Sequence, residues 1–383
     1  MRPCRAFRRP ALGYPDADSM KLLHFADLHL DAPFAWASPE VARSRRRNRR
    51  DALTKIVALA EAESVDAILS AGDLFEHDRI GPDSVEFLRS TFERTDRRVY
   101  LAPGNHDWLS PRSPYALVEW SPNVHVFTEA ELRPVEVDDG LTLWGAAHRA
   151  PANTDDLFAG FRVDRGGMHV AVAHASERAT LAWQESGKAP HAPFDAAELP
   201  ATGLAHAFLG HYHVPRDAEL HTYPGNPDPL DFGETGERGA VIATIEADGT
   251  VTRERRDVSV SDVHDLEVNV DGASHSDEVA AVVRERLAPL AGCVRVTLSG
   301  ELAPSVQLDL RELERIGDHL EGLVVRAGRL GVGYDLAGIG AESTVRGQFV
   351  RSSIEEIADL ELRRRVILTG LRALEGRDDL EVA

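Results

Sequence analysis

From Lys21 onward, short apolar runs alternate with longer amphipathic stretches. "KLLHFADLHL" (21–30) has the continuous apolar character of a buried strand and ends at polar residues. "RDALTKIVALAEAES" (50–64) repeats apolar residues at i, i+3 and i+4, the spacing of a helix, and "VDAILSAGDLF" (65–75) is a strand followed by a Gly-Asp turn. "SVEFLRSTFERT" (84–95) is a second helix, and "RVYLAPGNHD" (98–107) a third strand that runs into polar residues. This βαβαβ rhythm predicts a largely parallel central sheet. "LTLWGAAH" (141–148), "MHVAVAHA" (168–175) and "LAHAFLGHYH" (204–213) are three more strand-like runs, and the polar, Pro-bearing segment 175–200 is a surface excursion.

Around 257–262 the pattern restarts. Strand "VHDLEVNV", helix "SDEVAAVVRERLAPL", strand "CVRVTLSGEL", helix "DLRELERIGDHLEGL" and strand "VVRAGRLGVGYDL" form a small βαβαβ unit. A Gly-rich joint at 338–340 then leads to one terminal amphipathic helix over 352–375, with Ile354, Ile357, Leu360 and Leu368 as an apolar stripe at near-helical spacing. The division expected is therefore an extension at 1–19, a main domain at 20–258, a small α/β domain at 259–340 and a helical segment at 341–383.

Composition narrows the class. The 383 residues, with 43% hydrophobic and 28% charged, are ordinary for globular protein, and no stretch reaches the roughly 20 apolar residues of a membrane span. The Arg-rich start has no apolar core of a secretory signal, so residues 1–19 are expected to be a disordered tail or to precede a true first residue at Met20. Two cysteines, Cys4 and Cys293, are too few for a disulfide framework and favour a cytoplasmic protein. A net charge of −20 excludes general polyanion binding and requires any nucleic-acid contact to be local. "RSRRRNRR" (43–50), with six arginines in eight positions, offers such a locus, although a solvated helix face is the commoner meaning of a charge run.

Ligand sites in α/β sheets form at the carboxyl ends of strands, and here five strand ends carry metal-type ligands. They are Asp27 and His29 in "DLHLD", Asp73 in "GDLFEH", Asn105, His106 and Asp107 in "GNHD", His174 in "AVAHA", and His211 and His213 in "GHYH". Residues i and i+2 on an extended segment point the same way, so each D-x-H or H-x-H pair can present two ligands to one cavity. Carboxylate, imidazole and amide together suit Mn²⁺, Fe²⁺ or Zn²⁺. Asp73 is the natural bridge, because one carboxylate can hold two ions about 3.5–4 Å apart, the spacing used to neutralise a phosphoester and activate water. A lone GNHD is usually a turn, and His24, His148, His169, His206 and His221 are expected to be packing residues. Five ordered motifs, all at strand ends, are not explained that way.

"DLHLD…GDLFEH…GNHD…H…GHYH" resembles the calcineurin-like metallophosphoesterases, and within them the SbcD-type DNA repair exonucleases; "DLHLDAPF" is similar to the YhaO-like branch, and "HTYPGNPDPLDFGETGERG" (221–239) to the segment after the last histidine pair. The resemblance covers 21–239. It implies a metallophosphoesterase β-sandwich flanked by helices, with a small α/β cap domain and a C-terminal helix. It further implies one metal on Asp27, His29, Asp73 and His213, a second on Asp73, Asn105, His174 and His211, and His106 on the scissile phosphate with Asp107 orienting it. Some relatives carry a histidine directly after GDLF where this chain has Glu76, followed by His77, and neither residue receives a role. The function implied is a Mn²⁺-dependent DNA exonuclease or endonuclease in double-strand-break repair. Its partners would be double-stranded DNA ends, an SbcC-type ABC ATPase docked on the C-terminal helix, and, as an option, a second copy of the chain, with no membrane. Arginines at 43–50 and in "VVRAGRLG" would contact phosphates. The rivals are a phosphoesterase of small substrates or phosphoproteins, although "GDLFEHDRI" lacks an Asp-Arg-Gly element, and a noncatalytic scaffold.

Overall fold

Successive residues of a strand face opposite sides, and the first strand buries both. In the computed structural model, which describes residues 19–138, 140–180 and 190–376, β1 (Met20–Phe25) sends Leu23 and Phe25 into one apolar cluster and Leu22 into another. β2 (Ala67–Ser70) and β3 (Arg98–Leu101) divide in the same way, Ile68, Val99 and Leu101 joining the first cluster, Leu69 and Tyr100 the second. A sheet buried on both faces needs a layer on each side. Helices α1 (Pro39–Ala62) and α2 (Pro82–Glu93) supply one through Leu53, Ile56, Leu88 and Phe92. A second sheet supplies the other through Leu143, Val170, Val172 and Phe208. The extension expected at 1–19 and the centre of the 175–200 excursion, 181–189, lie outside the described residues, apart from Ser19.

The result is the expected α/β sandwich, with a more specific topology than one parallel sheet. β4 (Val124–Val126) completes a parallel run, and β11 (Ala240–Ile245) and β12 (Val251–Arg256) extend it antiparallel, in the order β12-β11-β1-β2-β3-β4. The second sheet has the order β5-β6-β7-β8-β10-β9, from Arg133–Asp138, Leu141–Gly145, Met168–His174, His206–Gly210, His221–Tyr223 and Arg216–Asp217. Both sheets belong to one compact unit made of the described residues up to 35, with 42–230 and 236–261.

Residues 36–41, 231–235 and those from 262 onward form a second unit. Three parallel strands, β13 (Val263–Asn269), β14 (Cys293–Leu302) and β15 (Gly322–Val332), carry the helix Ser276–Leu287 over a core of Val268, Val283, Leu298 and Val325. The helix expected after β14 shrinks to Leu310–Glu314 and a short 3₁₀ turn. The Gly-rich joint at 338–340 is instead part of a short helix, Leu336–Ala341, capped by Asp335. The single helix expected at 352–375 is two helices, Val345–Glu356 and Leu360–Glu375. Asp359 causes the second start: its carboxylate accepts the Leu362 N–H at 2.8 Å, an N-cap that competes with helix continuation. Among the described residues no helix is long and apolar enough to cross a membrane.

The arginine run does not face solvent as a block. Arg45 and Arg49 are 0% exposed, in phase with Ala42, Ala52, Leu53 and Ile56 on the inner face of α1. The Arg45 guanidinium donates to the Pro229 carbonyl and lies 3.8 Å from Asp228, while Arg49 donates to the Leu28 carbonyl at 2.9 Å. Both stand over the Phe34 ring, at 5.5 and 5.7 Å. A phosphate contact is thus ruled out for Arg45, and a solvated face fails for both. Asp228 in turn accepts the Val260 and Ser261 N–H groups and the Ser261 hydroxyl. Removing one partner of such a pair leaves a buried charge uncompensated, so Asp228→Ala is expected to cost about 3–5 kcal/mol, read as a lower midpoint in urea unfolding.

Candidate metal centre

Apart from His174, the last residue of β7, the candidate ligands sit just beyond the strands. Asp27, His29, Asp73 and His211 have φ of 56°, 49°, 53° and 115°, a region costly for residues with a Cβ and one that concentrates at functional sites. The i, i+2 argument therefore applies to neither pair. What aims the side chains is the stitching of the loops. Asp27 N–H donates to the Gly72 carbonyl at 3.0 Å and His29 N–H to the Asp73 carbonyl at 2.9 Å. The His211 N–H meets both Asp27 carboxylate oxygens at 3.1 Å, and the His106 N–H meets Asp73 Oδ1 at 2.8 Å. Such approaches leave no room for side chains. A Cβ on Gly104 would lie 2.3 Å from Asp73 Oδ1, and one on Gly210 would lie 2.0 Å from the Ala71 carbonyl oxygen.

Two sets of ligating atoms result, each within 4.8 Å: Asp27, His29 and His213, and Asp73, His174 and His211. Asn105 Oδ1 joins the second set, 3.0 Å from His174 Nε2. Asp73 faces both, with Oδ2 3.6 Å from His29 Nε2 and 3.3 Å from His174 Nε2. All seven expected ligands are thus brought together in the first unit, and the H-x-H pair divides between the sets instead of sharing one. Each set, with carboxylate oxygen and imidazole nitrogen converging, fits a borderline-hard divalent ion.

His106 stands at the edge of the first set, its side chain 46% exposed and its ring 4.8 Å from that of His29. The residue that holds it was missed in the sequence. Glu76 accepts from His29 Nδ1 at 2.8 Å with one oxygen and from His106 Nδ1 at 3.0 Å with the other, and with these two histidines it forms a third close group. The expectation that Asp107 orients His106 is corrected. Asp107 is fully buried, and its oxygens accept the Gly104, Asp73 and Leu74 N–H groups and the Tyr115 hydroxyl. It ties the second and third loops together. The signal for Glu76 lay in the pairing of two motifs: the Leu30–Phe75 bridge and the Glu76 N–H to Leu30 carbonyl bond set GDLFE beside DLHL. His148, expected to be mere packing, meets the carbonyl of His174 at 2.7 Å and supports that ligand from behind.

Burial raises the Asp73 carboxyl, but the adjoining His174 and His29 overcome it and hold Asp73 well below the usual range. Burial lowers His174, and Asp73 more than reverses this, bringing it to about 9. His106 follows the same logic, lowered by burial and lifted by Glu76 and Asp73 to about 9. Glu76, raised by burial, is held at about 2 by its hydrogen bonds to His106 and His29. Burial and the charge of Asp73 push Asp107 up to about 6. His174 and His106, both raised to about 9, thus compensate the carboxylates in the metal-free protein, while burial lowers His29.

A two-layered sheet core with candidate histidine, carboxylate and amide ligands gathered at its strand ends is the architecture of a metallophosphoesterase fold. The chain belongs to the calcineurin-like phosphoesterase family, whose profile matches residues 20–215. It is similar to an uncharacterized metallophosphoesterase, YhaO, of Bacillus subtilis, at 31% identity over 59% of this chain and 57% of the relative. Two others are a subunit of the SbcCD nuclease of Bacillus subtilis, at 24% over 57% and 64%, and the DNA double-strand break repair protein Mre11 of Haloferax volcanii, at 29% over 69% and 58%. The chain spans less than two thirds of the length of each of these relatives.

Two outcomes follow from this geometry. Gly104→Ala is expected to push the Asp73 carboxylate aside and lower bound metal per chain, measured by elemental analysis alongside circular dichroism. In metal-free protein, Glu76→Gln removes the counter-anion of His106, so the His106 pKa is expected to fall from about 9 towards 6.5 in an NMR titration.

Proposed function

We propose that the chain is a two-metal-ion phosphodiesterase that cuts DNA, of the SbcD type, with Mn²⁺ as its ion. Asp27, His29, Asp73 and His213 would hold one ion, and Asp73, Asn105, His174 and His211 the other. The observation that carries this reading is the Asp73 carboxylate, which faces both ligand sets while His106 stands on the exposed side. Bound, such ions neutralise a phosphodiester and provide activated water at neutral pH. The chain's own contribution is positional. Glu76 keeps the His106 imidazole protonated and aimed, ready to give a hydrogen bond or proton to the leaving oxygen.

DNA as substrate is supported by the relatives named as a nuclease subunit and as double-strand break repair proteins. The partners proposed are double-stranded DNA ends, an SbcC-type ABC ATPase and a second copy of the chain, in the cytoplasm. The ATPase would dock on the second unit, where Ile354, Leu360 and Leu368 of the expected stripe line one groove, with Leu360 74% exposed. Cap arginines are a weaker support for DNA contact, since Arg329 pairs with Glu267.

The test separates holding metal from doing chemistry. Asp73→Ala is expected to lose at least one ion and all Mn²⁺-dependent cleavage of end-labelled duplex. His106→Ala should keep its metal and its duplex affinity while single-turnover cleavage falls roughly 10²–10⁴-fold. Turnover of p-nitrophenyl phosphate without any cleavage of duplex would favour a small-substrate phosphoesterase instead.

A further inference from the structure

With Arg45 and Arg49 turned inward, the arginine run presents other members to a different place. Arg46 and Arg50 of α1, together with Arg79 from the loop after the second motif, line a cavity of about 350 Å³ whose remaining walls are Asp31 and residues Gly81–Ser84. Arg50 is set in place, its guanidinium donating to the Ser84 hydroxyl at 2.7 Å and lying 5.5 Å from the centre of the Phe87 ring. Asp31 accepts the Gly81 N–H at 3.1 Å, and Asp83 is exposed at the start of α2. Neither carboxylate pairs with Arg46, Arg50 or Arg79, and none of these three forms an ion pair among the described residues. In a chain of net charge −20, three unpaired guanidinium groups on one cavity are a local exception. Guanidinium forks match the oxygens of a phosphate.

The cavity is tied to the metal centre by the same two loops. Asp31 follows His29 by two residues, and Arg79 follows Glu76 by three. The loops are joined by the Glu76 N–H to Leu30 carbonyl bond at 3.0 Å and by the Gly81 to Asp31 bond. The three residues of chain from Glu76 to Arg79 reach at most about 11 Å, on the order of three nucleotide rises of about 3.4 Å each. We propose that Arg46, Arg50 and Arg79 form a subsite for a backbone phosphate of the DNA strand, a few nucleotides from the bond that is cut. This rests on the reading of the chain as a DNA phosphodiesterase.

The experiment measures binding of a labelled duplex by the full chain across a salt series, in the His106→Ala background so that the DNA stays intact. Each phosphate that the protein no longer neutralises flattens the log–log salt slope by about 0.9. Arg46→Ala/Arg79→Ala is expected to weaken binding and flatten the slope by about 1, with metal content and thermal midpoint unmoved. Arg46→Lys/Arg79→Lys, which keeps the charge, should keep most of the slope. An unchanged slope in the alanine pair, beside wild-type protein that cleaves duplex, overturns the subsite and leaves the enzymatic reading standing. Wild-type protein that neither binds nor cleaves duplex overturns both. Inorganic phosphate binding that the alanine pair loses while the duplex slope stays fixed would make the cavity a site for free phosphate, and that too overturns the strand subsite.

Discussion

A carboxylate without access to water must be compensated by the protein around it, because an unpaired buried charge costs far more than any single contact returns. Asp73 sets that problem for the first unit, and the loops are arranged as its solution. One oxygen takes the His106 N–H, the other faces His29 and His174, and its own N–H is fixed by Asp107. Gly104 lets the third loop come close enough, and His174 at the end of β7 reaches Asp73 because its Nδ1 is anchored to the Ala71 carbonyl at 2.9 Å. A site assembled from strands of two different sheets thus has one electrostatic centre.

The loop after β1 shows how this arrangement is kept stiff. Asp27, His29, Asp31 and Phe34 all hold positive φ, at an expense of order 1–3 kcal/mol for each such residue. That persists only where the surroundings over-determine the chain. Here the surroundings are the buried arginines of α1: Arg49 holds the carbonyl between two candidate ligands, and Arg45 and Arg49 both stand over the Phe34 ring. The helix packs the sheet with its apolar residues and braces the ligand loop with its cations.

How legible was this in the sequence? The gathering of the candidate ligands was, because strand ends and metal-type residues coincide five times and Gly precedes Asp73, Asn105 and His211. The conformation behind it was not. Left-handed backbone at Asp27 and His29 leaves no mark in residue type, so the extended-strand argument picked residues that the fold does bring together, but by a wrong route. Asp107 was misassigned for a related reason: adjacency in GNHD says nothing of whether a carboxylate turns to the imidazole or to backbone N–H groups. The inward arginines carried a readable signal, their phase with Ala42, Leu53 and Ile56, which the density of charge obscured. At the C-terminus a continuous helical pattern hid the Asp359 cap, and burial falls on Ile367 and Leu371 instead of on the expected stripe.

Charge gives the last step. The chain is strongly acidic, and several of its arginines are already engaged: two inside the first unit, and Arg295 and Arg329 paired with Asp265 and Glu267 in the second. A phosphodiester approaching such a surface is attracted where positive charge remains uncompensated. In the metal-free centre the cationic partners of Asp73 and Glu76 are protonated imidazoles, His174 and His106. On the proposed assignment, an ion held by His174 would take the place of its proton, since a ligating histidine must be neutral. His106, hydrogen-bonded to Glu76 and outside both proposed ligand sets, would keep its proton. Two imidazoles that are both lifted to about 9 in the metal-free protein would thus differ in role on the proposed assignment, one as a ligand and the other as a donor to the leaving oxygen.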